Sequence, residues 1–271
     1  MNKSELLITS LGSGSSGNAF FIESPGGALL IDQGFSRKEL ISRMEKTGCD
    51  PRTLRGALLT HEHSDHSKGT RVFCDTFNIP LYTTVETAMK LKCKNCLPEK
   101  VLTFEPGAVF DIDDFHISTF PVSHDVETVG FNIAACGLSI GFATDCGCVN
   151  ENLRRKLCNC HALIIESNYD LEMLMNSNRS LQLKRRIFGF RGHLDNRTTF
   201  ELLKELLHEK TQLLLLAHVS RECNDYGTLS DSCKKHLQEL NMDSIRFEVL
   251  TQESPSGKFS IGHSRYCDSL F

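Results

Sequence analysis

The chain has 271 residues, of which 40% are hydrophobic and 24% charged, and its formal net charge is −4. This composition excludes a chain dominated by disorder, because the apolar content is high and the net charge is small. It gives no overall signal of nucleic-acid binding, so contact with a polyanion has to come from a local basic patch. No apolar run approaches the ~18 residues that span a bilayer, and the chain shows no secretory signal. We therefore expect a cytoplasmic protein without membrane contact.

The twelve cysteines are interpreted as reduced thiols in core or surface positions. Cys93 and Cys96 form one CxxC pair, whereas Cys146 with Cys148, like Cys158 with Cys160, has CxC spacing. A structural zinc site usually needs two pairs at finger-like spacing. The cysteines therefore predict neither a zinc finger nor a disulfide scaffold.

The first third of the chain reads as short strands separated by glycine-rich segments, followed by a helix. The predicted strands are Leu6–Leu11, Ala19–Glu23 and Ala28–Asp32. A helix is expected between Ser36, a plausible N-cap, and Gly48, a plausible C-terminal cap. The next strand, Ala57–Thr60, runs directly into His61.

The rest of the sequence alternates between helices and strands, without a linker or repeat, so we expect one domain over residues 1–271. Helices are predicted at Lys68–Phe77, Val85–Cys93, Glu151–Leu157, Ser180–Phe188, Asn196–Glu209 and Leu229–Leu240. Strands are predicted at Val101–Phe104, Val109–Ile112, His116–Val122, Val129–Ala134, Ser139–Thr144, Ala162–Glu166, Leu213–Ala217, Ile245–Leu250 and Lys258–Ile261. This pattern predicts an α/β (α+β) fold, a four-layer α/β/β/α sandwich with two sheets face to face.

The segment Thr60–His66, Thr-His-Glu-His-Ser-Asp-His, follows an apolar strand. His61 and His63 are two residues apart on an extended segment, so they share a side and can bind one cation. Asp65 and His66 come after the turn and can reach a second cation. Neutral imidazole suits Zn²⁺, Mn²⁺ or Fe, and a carboxylate adds a hard ligand. The segment is not a zincin HExxH helix, because aspartate replaces the second histidine.

Three further candidate ligands stand at the ends of apolar strands. They are His124, Asp145 and His218. Together with the three histidines and the aspartate of Thr60–His66 they make seven candidate ligands. Two metal ions need that number when one carboxylate and one water bridge them.

This ordered set resembles the metallo-β-lactamase-fold hydrolases over essentially the whole chain, and Leu29–Gly34 looks like the first motif of that family. The resemblance implies a four-layer metallo-β-lactamase sandwich and two divalent metal ions, Zn²⁺ or Mn²⁺ or else Fe. It implies one metal on His61, His63 and His124, a second on Asp65, His66 and His218, a bridging Asp145, and Asp32 orienting a ligand from behind. Asp145 stands where true β-lactamases carry cysteine, which argues against a β-lactam substrate.

A second motif, Gly192-His193-Leu194-Asp195, precedes an amphipathic helix that Asp195 or Asn196 can cap. A histidine at a helix N-terminus is well placed to contact a phosphoryl oxygen. The surrounding basic residues are Lys184, Arg185, Arg186, Arg191 and Arg197. They form either a track for a nucleic-acid backbone or a solvated helix face.

Within that family the sequence is similar to the YycJ/WalJ-like branch, bacterial cytoplasmic metallohydrolases regarded as DNA exonucleases. The matching segments are Gly12–Asn18, Ser123–Asp125, Glu166–Asn168, Gly192–Leu194 and Leu216–Glu222. Two positions depart from the branch: Tyr169 stands where histidine is expected, and Asp195 stands where serine is usual.

We therefore expect a dinuclear metal-dependent phosphodiesterase acting on nucleic acid, DNA above all, as a 5′-to-3′ exonuclease. Asp65 and His193 are the predicted catalytic residues, and no obligate protein partner is inferred. The predicted substrate contacts are Asn18, Asn168, Arg185, Arg186 and Arg191. Two alternatives stay open. One is a small-molecule hydrolase of the same fold, acting on a thioester, lactone or cyclic phosphodiester, and the other is a non-catalytic metal- or redox-sensing protein.

Overall fold

The computed structural model describes residues 5–262, and its strands alternate with helices along the chain. The strands are β1 Glu5–Gly12, β2 Ala19–Ser24, β3 Gly27–Ile31, β4 Leu54–Leu58, β5 Leu81–Thr84, β6 Val101–Phe104, β7 Val109–Ile112, β8 Phe115–Val122, β9 Thr128–Ala135, β10 Leu138–Ala143, β11 Ala162–Glu166, β12 Leu213–Ala217, β13 Arg246–Val249 and β14 Phe259–Gly262. The helices are α1 Arg37–Thr47, α2 Ser64–Ser67, α3 Thr70–Phe77, α4 Val85–Cys93, α5 Glu151–Leu157, α6 Leu171–Asn176, α7 Leu181–Phe188, α8 Asn196–Leu206 and α9 Tyr226–Glu239.

Two mixed seven-stranded sheets form the centre of the molecule. Their strand orders are β14-β1-β2-β3-β4-β5-β6 and β13-β12-β11-β10-β9-β8-β7. The main apolar core lies between them, where Phe20 of β2 meets Phe142 of β10 with ring centroids 5.0 Å apart. Strands β3 to β6 run parallel, as do β10 to β13.

Helices cover the outer face of each sheet. Buried side chains of α1, α3 and α4 pack on the first sheet, and those of α5, α8 and α9 pack on the second. Strands such as β12, which is Leu-Leu-Leu-Leu-Ala and buried throughout, are therefore covered on both faces. The predicted four-layer α/β/β/α sandwich is confirmed.

Local sequence signals fix several helix ends as predicted. The Ser36 side chain accepts a hydrogen bond from the backbone of Glu39 at the start of α1, and Gly48 ends that helix in a left-handed conformation. Asp195 caps α8 by accepting from Thr198 N. No helix within residues 5–262 is long and apolar enough to cross a membrane.

Three element predictions need correction. The helix predicted from Lys68 begins only at Thr70 as α3, and a short helix that was not predicted, α2, precedes it. Gly69 separates the two, and a Cβ there would lie 2.1 Å from the Phe35 carbonyl oxygen. The strand predicted to reach Thr60 stops at Leu58, because Thr60 N donates to the Asp32 carboxylate instead of to a neighbouring strand. Helix α6 was not predicted, since it is short and three of its apolar side chains are exposed.

Candidate metal centre

The loops that carry the predicted ligands meet at one edge of the sandwich. The His61–His66 segment follows β4 of the first sheet, whereas His124, Asp145 and His218 follow β8, β10 and β12 of the second. The carboxyl ends of parallel strands gather functional loops at the same edge of a sheet. The structure brings together every residue that was predicted to bind metal, and all except His63 and Asp65 are buried.

Three imidazoles form the first cluster. His61 Nε2 lies 3.0 Å from His63 Nδ1, and His124 Nε2 lies 3.4 Å from the same nitrogen. Their ligand atoms all lie within 4.8 Å of one another. Ring nitrogens that converge in this way suit a shared cation, since imidazole is a common ligand of Zn²⁺ and related metals.

The second cluster contains one carboxylate and two imidazoles. Asp65 Oδ2 lies 3.3 Å from His66 Nε2 and 3.4 Å from His218 Nε2. These three ligand atoms are also within 4.8 Å of one another.

Asp145 lies between the two clusters. Its Oδ2 is 3.2 Å from His66 Nε2, and its Oδ1 is 3.6 Å from His218 Nε2 and 3.8 Å from His124 Nε2. The Oδ2 atom is buried and receives no hydrogen bond of good geometry. A buried carboxylate oxygen without a donor is costly, so this atom fits a bridging position between two cations.

Most of these imidazoles are held from behind by a second hydrogen bond, which fixes ring orientation and tautomer in metal sites. The Nδ1 partners are Thr60 Oγ1 for His61, Asp32 Oδ2 for His66, Gly192 O for His124 and Glu166 Oε1 for His218, at 3.0, 2.7, 3.1 and 3.0 Å. The Nε2 atoms are thereby left to point inward. The residues present therefore fit two divalent cations, with Asp32 in the orienting place that the resemblance implied.

The charges of the buried groups lead to the same conclusion. Burial and the neighbouring His66 lower the pKa of His61 well below its usual value. Burial also lowers the pKa of His218, but the carboxylates of Asp145, Asp65 and Glu166 outweigh it and raise the pKa to about 10. The carboxylates therefore favour positive charge beside Asp145. Bound metal cations would provide that charge.

Three residues of the site have a left-handed backbone that side-chain-bearing residues rarely adopt. The φ angles are 58° at Asp32, 56° at Asp145 and 54° at His218. Each residue lies just beyond the end of a strand, where the turn redirects its side chain. Such conformations are unfavourable, and they concentrate at functional sites.

His193 lies beside the metal ligands and is partly exposed. Its Nδ1 is 2.8 Å from Glu166 Oε1 and 3.7 Å from Asp145 Oδ1. It belongs to a group with Asp145, Glu166 and His218 whose atoms are close enough to hold a metal ion. Its predicted contact with substrate stays a prediction.

The two predicted amide contacts are buried against ligand histidines. Asn18 Nδ2 lies 3.1 Å from His66 Nε2, and its Oδ1 accepts a hydrogen bond from Gly14 N. Asn168 Nδ2 donates to the backbone oxygen of His218 at 2.6 Å. Both amides brace the ligand loops, and their contact with substrate also stays a prediction.

The three arginines predicted to contact substrate divide between two cavities. Arg186 and Arg191 line the cleft of about 200 Å³ over the metal ligands. Arg185 lines a neighbouring cavity instead. Arg179, which was not singled out from the sequence, also lines the metal cleft. The cleft is therefore more basic than the sequence motif alone indicates.

Two further carboxylates of the site were missed from the sequence. Glu166 is fully buried and accepts hydrogen bonds from Cys146 N and Leu194 N besides the two histidines. Asp125 joins Arg186, at 2.6 Å, to His63, at 3.3 Å. Glu166 carries the signal that singled out Asp145 and His218, since it is a polar residue at the end of an apolar strand.

Comparison with known proteins agrees with this geometry. The sequence model of the beta-lactamase superfamily domain matches residues 28–219. The chain belongs to the metallo-β-lactamase superfamily. With its paired histidine and aspartate clusters, this superfamily member is a metal-binding hydrolase.

Similar members of the superfamily include two enzymes named exodeoxyribonucleases. WalJ of Streptococcus pneumoniae serotype 2 (strain D39) is 32% identical over 219 residues, which cover 79% of this chain and 81% of WalJ. YycJ of Bacillus anthracis is 30% identical over 232 residues, which cover 84% of this chain and 88% of YycJ. The metallo-β-lactamase-fold protein YhfI of Bacillus subtilis is 17% identical, with a TM-score of 0.69 over 94% of this chain and 99% of YhfI. At that identity the likeness shows the fold.

Proposed function

We propose that this protein is a dinuclear metal-dependent phosphodiesterase that degrades DNA from a 5′ end. The observation that carries the proposal is the cleft itself, in which Asp145 lies between the two candidate ligand clusters and three arginine side chains line the wall. The 30–32% identity to relatives named exodeoxyribonucleases supports DNA as the substrate.

The ligand clusters and the arginines have complementary tasks. Two divalent ions, Zn²⁺ or Mn²⁺ or else Fe, held by the two clusters would acidify water and neutralise phosphate charge. Arg191 has no ion pair among residues 5–262, so its guanidinium is available to a phosphate. Arg186 is held at the rim by Asp125. A guanidinium binds phosphate through paired hydrogen bonds, which fixes the orientation of the phosphate as well as its place.

Asp65 and His193 are proposed to handle the protons of the reaction. The Asp65 carboxylate is ionised, because the nearby His66 and His218 overcome the effect of burial and hold its pKa well below the usual value. It is therefore able to orient the attacking water. His193 donates from Nδ1 to the Glu166 carboxylate, and its imidazolium form would then have a second N–H at Nε2 to donate to the phosphoryl or leaving oxygen.

The proposal is tested with the full chain reconstituted with Zn²⁺ or Mn²⁺. End-labelled single- and double-stranded DNA and RNA are incubated with it, and product lengths are followed in time. We expect DNA to be shortened stepwise from the 5′ end, and Asp145→Asn to abolish cleavage. Asp111→Asn is the matched control, because that carboxylate is exposed and pairs with His116 away from the cleft. A chain with two bound metals that cleaves none of these substrates would contradict the proposal.

A further inference from the structure

A second cavity adjoins the metal cleft. It has a volume of about 540 Å³, within the range of small-molecule sites. His193 lines both cavities, so they meet at the residue that is proposed to contact the scissile phosphate. A group attached to that phosphate would reach the second cavity directly.

Two exposed phenylalanines stand at this second cavity. Phe190 is 83% exposed and Phe188 is 56% exposed, although large aromatic side chains are normally buried. Exposed aromatic rings on a fixed backbone are typical of binding surfaces.

The backbone that carries these rings is fixed. Ser123 Oγ donates to Phe190 O at 2.7 Å, and His193 N donates to Ile187 O at 2.9 Å. Phe190 O also lies so close to Gly147 that a Cβ there would be 2.3 Å from it. The backbone that carries the two rings is therefore held in a defined place before any ligand binds.

Two buried side chains give the cavity an apolar floor. Tyr169 and Leu194 line it and are each only 2% exposed, while the exposed Arg185 supplies a cation. Aromatic faces and a guanidinium both stack on nucleobases of any sequence. The related branch was expected to carry histidine at the position of Tyr169. Tyr169 instead forms part of the cavity wall and is not a metal ligand.

We propose that this cavity holds the nucleobase of the terminal nucleotide, stacked on Phe190 and Phe188, while the adjoining phosphate lies at the metal centre. The proposal rests on the proposed nuclease function. A stacked nucleobase explains why the two phenylalanine rings are exposed to solvent beside a charged cleft. Because every base can stack, the cavity would accept any of the four bases.

The test compares two oligodeoxynucleotides that differ only in the terminal nucleotide, which is either normal or abasic. In the wild-type protein we expect the KM for the abasic substrate to be roughly ten-fold higher, the scale of one lost base–aromatic stack. Phe190→Ala should lower the ratio of the two KM values, Phe190→Ala with Phe188→Ala should bring it close to one, and Phe190→Tyr should keep it at the wild-type value. Metal content and circular dichroism of each variant check that the fold is intact.

Leu181→Ala is the matched control, because Leu181 is 73% exposed on α7 but lines neither cavity, and its KM ratio should equal that of the wild type. A wild-type KM ratio near one, or an unchanged ratio in Phe190→Ala, would overturn the proposal that this cavity binds a nucleobase. It would not affect the proposed nuclease function. Absence of cleavage of either oligonucleotide by the metal-loaded wild type would overturn both.

Discussion

A single buried carboxylate, Glu166, connects two histidines with different proposed tasks. Its Oε1 is 2.8 Å from His193 Nδ1 and 3.0 Å from His218 Nδ1. Burial raises the pKa of Glu166, but the two imidazoles outweigh it and lower the pKa. The group is thus ionised and can orient both rings, one toward the second metal cluster and one toward the substrate.

The different tasks of His193 and Asp65 can be separated by mutation. His193→Ala should keep both metals and the fold but lose about 10²–10³-fold in kcat, as expected for one lost transition-state donor. Asp65→Ala should lose bound metal together with turnover, because Asp65 Oδ2 joins the second cluster. Metal content and single-turnover cleavage are measured on the same preparations.

Loss of a metal from His193→Ala would assign His193 to the ligand set, in keeping with its place beside Asp145, Glu166 and His218. Wild-type turnover in that variant would remove His193 from the mechanism. Both variants are compared with His116→Ala, which alters an exposed histidine paired with Asp111 outside the site.

At the level of elements, α8 carries the His193 segment against the second sheet. The Asp195 side chain N-caps this helix: Oδ1 accepts a hydrogen bond from Thr198 N at 3.0 Å, and Oδ2 accepts one from Thr198 Oγ1 at 2.6 Å. The helix buries Leu202, Leu203 and Leu206 against the core. The aspartate that replaces the usual serine of the related branch is therefore a competent cap.

Replacing this cap should cost stability. Asp195→Ala should lower the free energy of unfolding by about 1 kcal/mol, the usual cost of losing an N-cap, and Asp195→Ser should recover most of it. Urea unfolding of the metal-free protein is the measurement, so that metal binding does not contribute. Glu201→Ala, on the exposed face of the same helix, serves as the control, and an equal loss there would contradict a specific role for the cap.

On the scale of the whole molecule, the site exists only when the two sheets are packed together. The first sheet supplies the His61–His66 loop, and the second supplies His124, Asp145 and His218. The cleft also receives Arg186 and Arg191 from α7 and the loop that follows it. Arginine charge therefore lines this cleft in a chain whose formal net charge is −4.

The salt dependence of DNA binding measures that charge. The slope of log affinity against log salt concentration falls by roughly one for each lost phosphate contact. Arg186→Ala with Arg191→Ala should therefore flatten the slope by one to two. Arg154→Ala with Arg155→Ala, on α5, should leave it unchanged, since neither residue lines the cleft. An unchanged slope in the Arg186→Ala, Arg191→Ala variant would mean that these arginines are solvated and do not contact phosphate.

The sequence by itself determined the candidate ligands and most of the elements. Strands such as β11 and β12 and caps such as Ser36 depend on local patterns that a single stretch of chain displays. The candidate ligands follow the ends of apolar strands, and the resemblance to the metallo-β-lactamase-fold hydrolases assigned them to two metals. Strand ends at one edge of a sheet lie close together, so these residues were expected to meet.

Only the tertiary structure decided which side chains support those ligands and which cavity each arginine faces. Glu166 contacts His193 and His218, which are distant from it in sequence, and Asp125 contacts Arg186 in the same way. Arg185 and Arg186 are neighbours in sequence but line different cavities, because adjacent residues of a helix point in different directions. Such pairings depend on how loops from both sheets pack together, and no local periodicity in the chain records that.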